Sequence, residues 1–177
     1  MRYYVLLFML LLAACSTEVN EFELDKVMAV LNDQEIKARD ILTQYPLDDE
    51  YIEIFLKEEV IISEAKALGI RVSEEEVLAQ SQTVFPGLEP VEIYQLLDEK
   101  DFYISQAKLL GVTPEEYYGL WADSYYAREL YIQKYIGKMF EEPTTIEEGA
   151  LWGEQIEEHI NERFSHYVAS GQLIRHD

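Results

Sequence analysis

His159 and His166 stand two helical turns apart, with Glu162 between them, in a stretch whose apolar residues recur with a helical period. Imidazoles and a carboxylate on one helix face are the beginning of a metal site, but zinc ligands on a helix need one-turn spacing, as in H-E-x-x-H, which the sequence lacks. The expectation for these residues is a solvated face. Carboxylate pairs such as Glu154 and Glu158 could hold a hard cation or exchange a proton. With 35 acidic residues in 177, such pairs arise by chance, and no D-x-D-x-D-G loop accompanies them. The sequence has no G-x-S-x-G elbow and no glycine-rich phosphate loop, and its one cysteine, Cys15, follows an apolar leader. The reading is a chain that is not an enzyme, with no catalytic residue, no metal and no cofactor.

A different chemistry is offered by Tyr117, Tyr118, Trp121 and Tyr125, which fall in one arc when residues are placed about 100° apart on a helix. At this spacing aromatic side chains pack a core or line a groove. Tyrosine and tryptophan join a large apolar body to a polar tip, which suits a wet, adaptable binding surface. Arg128 falls near the same arc, where it can stack on a ring or pair with an acid. These five residues are the candidates for contact with a polypeptide client, and exposure of Tyr118, Trp121 and Tyr125 around a cleft is what would distinguish groove from core.

The elements that must position them begin after a leader. In MRYYVLLFMLLLAAC, Arg2 precedes the apolar run Val5 to Leu12, which is too short for the about 20 residues of a lasting membrane span. L-A-A-C resembles the lipobox of bacterial lipoproteins. The resemblance implies a signal peptide over 1–14, removed to leave Cys15 acylated. Each buried acyl methylene contributes about 0.8 kcal/mol, so several chains anchor the protein to a membrane. Residues 15–25 read as a tether, whose ten residues after Cys15 reach at most about 33–36 Å. The formal charge is −21, and loss of Arg2 makes it one unit more negative. That field disfavours nucleic acid and would favour basic clients.

Val27, Val30 and Leu31, the turn-forming Asn32-Asp33 and then Ile36 predict a two-stranded hairpin. Nearly everything after Asp40 reads as helix. Acids at 48–50 start one helix that Gly69 closes; Ser73 and Glu76 form a capping box for the next, which Phe85-Pro86-Gly87 ends. Pro90 opens another, broken near 98–101 and stopped by Gly111. Thr113-Pro114-Glu115-Glu116 starts the longest, to about Phe140, and Thr144 or Thr145 caps a last helix to about Ser170. The phrase I-S-x-A-K-x-L-G occurs twice, from Ile62 and from Ile104, each time followed by an apolar residue and a capped helix. It predicts a helix corner, in which glycine turns left-handed and the apolar residue packs back.

The segment VMAVLNDQEIKARDIL, with LKEEVIISEAKALGIRVSEEEV after it, resembles the N-terminal chaperone module of extracytoplasmic foldases of the SurA and PrsA type. The match runs over 27–80; from 88 to 140 only helix lengths and the second corner agree. One departure is the missing Ser or Thr cap before Asp40. The resemblance implies a mainly all-α fold, a helical module of the SurA N-terminal and trigger-factor C-terminal kind with a short N-terminal β-hairpin. It places that module over 26–142 and a C-terminal helix, 143–177, packing back on it, with too few residues after the long helix for a parvulin prolyl-isomerase domain. It also implies a holdase, lipid-anchored on the outer side of a bacterial cell membrane, whose partners are unfolded or newly secreted polypeptides. A structural or adaptor lipoprotein that binds one envelope partner is the alternative.

Overall fold

A computed structural model of the chain describes residues 23–176. Asn32 and Asp33 take φ of 49° and 65°, the pair of left-handed residues that a tight hairpin requires. They join β1 (Val27–Leu31) to β2 (Gln34–Lys37), which pair antiparallel with Val30 opposite Glu35 and an irregularity between Val27 and Ala29. A third strand, β3 (Leu173–Arg175), pairs antiparallel with the other edge of β1, so the order is β2-β1-β3. The far end of the chain thus completes the sheet begun by its first described strand, where the sequence predicts only helix and tail.

Helix α1 (Ala38–Leu42) begins without serine or threonine: the Lys37 amide donates to the Asp40 carboxylate at 2.8 Å, so the acid inside the helix fastens its start. α2 (Asp49–Ala67) is capped by Asp48, which accepts from the Tyr51 amide. Its apolar face, including Ile52, Phe55, Leu56 and Val60, packs with Ala29, Leu31, Ile36, Ile41, Tyr167 and Leu173 in one core. The helices that follow are α3 (Glu74–Val84), α4 (Pro90–Leu96), α5 (Asp101–Leu110), α6 (Pro114–Met139) and α7 (Ile146–Ala169). Capping boxes at Ser73, Thr113 and Thr145 start α3, α6 and α7. The described residues therefore form a mainly helical fold with a small antiparallel sheet at the N-terminal end.

The repeated phrase is a corner in both places. Gly69 and Gly111 have φ of 79° and 72°, and the next residue's amide reaches back to the same alanine of the phrase, Ile70 to Ala65 at 2.9 Å and Val112 to Ala107 at 3.1 Å. Both alanines are buried.

α6 is the hub. It touches α2, α3, α4 and α5, so most of its circumference is covered. Ile93, Tyr94, Tyr118, Ala122 and Tyr126 make a second core at its first half, and Ile61, Ala65 and Tyr135 a third at its second half. α7 returns along α2 and delivers β3 to β1. No helix among the described residues is long and apolar enough to cross a membrane.

Candidate functional site

The aromatic arc packs as a run of rings around Tyr103 of α5, which meets Tyr117, Tyr118 and Trp121, while Trp121 bridges Tyr118 to Tyr125. Tyr117 is 0% exposed. Its hydroxyl donates to the Leu42 and Thr43 carbonyls at 3.1 and 3.3 Å, and its ring leans on Phe102 and Tyr103. Burial pushes this hydroxyl well above the ordinary tyrosine value. Tyr117 has no surface to offer a client; it ties α6 to the end of α1. Trp121 and Tyr125 stack at 5.0 Å with planes 13° apart, and Trp121 meets Tyr103 edge-on at 5.4 Å. Gln44 donates to the Trp121 carbonyl at 3.0 Å, placing this pair on the flank beside α1. Tyr125 is 40% exposed there, at the mouth of a pocket of about 240 Å³ shared with Tyr45, Glu58 and Arg128.

Arg128 is likewise withdrawn from the surface. Its Nε and Nη2 donate to Glu58 at 3.0 and 2.7 Å, its Nη1 to Glu59, and Nη2 also to the Phe55 carbonyl at 3.3 Å. The guanidinium lies 4.2 Å from the centre of the Phe55 ring. It thus both stacks on a ring and pairs with acids, the contacts its sequence position allowed, but with α2 rather than with a client, so that its hydrogen bonds join α6 to α2. Cys15, the expected lipid site, lies outside the described residues.

Tyr118, whose ring lies 5.7 Å from that of Trp121 and 5.3 Å from that of Tyr103, also lines a groove between α3, α4 and α6 of about 570 Å³. Ile93, Tyr118, Ala122 and Tyr126 form its floor, and Val77, Leu78 and Leu88 its apolar walls. Tyr118 shows only 2% of its surface, and burial raises its hydroxyl to about 12. Leu78 is 61% exposed at the lip. Glu74, Glu89 and Asp123 supply the charge around the opening; among the described residues lining it there is no lysine or arginine.

The α3 wall is unusual in burying none of its residues. Val77 packs against the second core, and polar contacts fix both ends of the helix. At the start, the Lys134 ammonium donates to the Arg71 carbonyl at 2.8 Å and pairs with Glu76, whose carboxyl the ammonium and the Ser73 amide hold below the usual range. At the finish, Gln82 donates to the Leu88 carbonyl at 3.3 Å and accepts from the Gly87 amide at 2.6 Å.

His159 is not part of a solvated face. It is half-buried, with Nε2 2.9 Å from the Tyr135 hydroxyl, which donates to Glu64 at 2.7 Å; Arg163 Nε reaches the same carboxylate at 2.7 Å. Burial alone would raise Glu64, but the hydrogen bonds from Arg163 and Tyr135 prevail and hold it below the usual carboxylate range. The cluster joins α2, α6 and α7. His166 and Glu162 lie on the exposed side of α7.

Sequence reasoning missed Val77, Leu78, Ile93, Ala122 and Tyr126. Ala122 and Tyr126 lie on α6 outside the predicted arc, and Val77, Leu78 and Ile93 lie on α3 and α4, so no single helix carries the signal for the groove. Comparison with known proteins returned no matching family model, no matching curated protein and no matching solved structure.

Proposed function

We propose that this chain is a membrane-anchored extracytoplasmic holdase of the SurA type, without isomerase activity. It shields apolar segments of unfolded or newly secreted polypeptides in the groove between α3, α4 and α6. The observation that carries this reading is the groove itself: about 570 Å³, floored by Ile93, Tyr118, Ala122 and Tyr126, with one wall that buries no residue of its own. The volume lies within the about 300–1,000 Å³ of ordinary ligand sites. Apolar side chains lowered onto that floor gain about 25 cal/mol for each Å² removed from water. The lipobox-like leader supports attachment through Cys15 beside a membrane where secreted chains emerge unfolded.

The test is aggregation of a reduced, unfolding client. The protein should suppress light scattering at near-stoichiometric ratio, and Leu78→Gln, at an exposed lip position, should weaken client binding about fivefold. Absence of suppression at several-fold excess, together with recovery of one folded partner from membrane extracts, would establish the adaptor reading instead.

A further inference from the structure

We propose that the groove selects its occupants by charge as well as by apolarity, taking apolar segments flanked by lysine or arginine, and that Glu74, Glu89 and Asp123 are the residues that read the flanking charge. This inference rests on the holdase reading and adds a substrate class to it. All three carboxylates are exposed at the groove, and none pairs with a cation among the described residues. Glu76, on the same first turn of α3 as Glu74, is by contrast engaged by Lys134. An apolar segment seated on Tyr118 and Tyr126 therefore lies beside three carboxylates that have no cation partner among the described residues.

A client with acidic flanks would meet repulsion at the same points, so discrimination acts in both directions. Glu74 lies at the start of α3 and Glu89 caps α4, where each helix dipole offsets part of the carboxylate's charge. Asp123 lies within α6 and has no such offset, so it should weigh most among single substitutions. The selectivity is local, and thus separable from the general attraction of a chain with formal charge −21 for any base.

The experiment uses the full chain in neutral detergent and three fluorescent peptides that share one apolar core and carry paired Lys, Gln or Glu flanks. Binding is read by anisotropy at low and high salt. The expected order is Lys, Gln, Glu, with Lys over Glu by about tenfold at low salt, from exposed ion pairs of ordinary strength. Near 1 M salt, where the screening length is about 3 Å, that ratio should shrink towards unity. Two variants with equal loss of charge separate site from field: E74Q/E89Q/D123N at the groove and E154Q/E157Q/E158Q on the exposed face of α7. The first should bring the three peptides within about twofold of one another, and the second should leave most of the discrimination. Equal binding of all three peptides by the unaltered protein, or equal loss in both variants, overturns the assignment and leaves the holdase standing. Failure of every peptide to bind, with no suppression of aggregation, overturns both.

Discussion

Replacing Arg128 with methionine should lower the melting temperature substantially without altering peptide affinity in the folded protein. The substitution keeps much of the side-chain volume and removes the charge. Glu58 and Glu59, neighbours on α2 whose side chains are each about 25% exposed, are then left together at the α2–α6 seam with no cation between them. Removing one partner of a fully buried pair costs about 3–5 kcal/mol; partial access to water reduces this to about 2–3 kcal/mol. Loss of the guanidinium from the Phe55 ring, 4.2 Å away, adds about 0.5–1 kcal/mol. The sum is about 3 kcal/mol, equivalent to about 6–12 °C in a chain of this size. Circular dichroism melts of R128M read it directly. The triple variant E58Q/E59Q/R128M, which removes the stranded charges, should recover about half. A fall of less than about 2 °C, with weakened peptide binding, would refute the structural role and return Arg128 to the clients.

The acid limb of stability should depend on Glu64. Its folded value is lowered, so its contribution is present above the ordinary 4.5 and lost as pH falls through the lower folded value; E64Q should flatten that limb in urea titrations. At the alkaline end Tyr45, Tyr117 and Tyr135 are raised and Tyr118 is raised to about 12, all favouring the protonated form when folded. Their contribution is complete below 10 and lost above it, so late tyrosinate absorbance should appear together with unfolding. Leu173→Ala, in the only strand contributed by the C-terminal region among the described residues, should cost about 2–3 kcal/mol by chemical denaturation, since Leu173 is buried against the first core. Cys15→Ser should release the protein from membranes on fractionation, and unchanged retention would remove the lipid anchor from the account.

Local signals located most of the helices because each boundary carries its own chemistry. Ser73 with Glu76, Thr113 with Glu116 and Thr145 with Glu148 pair a hydroxyl with an acid at fixed spacing, and Gly69 and Gly111 mark the corners. The Asn32-Asp33 turn was legible for the same reason. β3 was not, because three residues have no period of their own and Leu173 acquires its place only from β1 across the whole chain. The division of side chains among the faces of α6 was not legible either. A helix with one neighbour shows one apolar arc, whereas α6 has several, and its apolar residues divide among them. Tyr117 and Tyr118 both meet Tyr103 of α5, but Tyr117 goes on to bond the end of α1 whereas Tyr118 lines the groove. Arg128 could not be assigned from its own helix because its partners, Glu58 and Glu59, belong to α2.

The central claim is that unfolded polypeptide is held between α3, α4 and α6. Photocrosslinking tests it most directly, with a photoreactive residue placed at Leu78 on the groove's lip or at the exposed Leu151 on α7. A reduced, unfolding client should be captured from position 78 and released when it refolds, with little capture from position 151. Equal capture from the two positions, or none from position 78 while aggregation is still suppressed, would contradict the account.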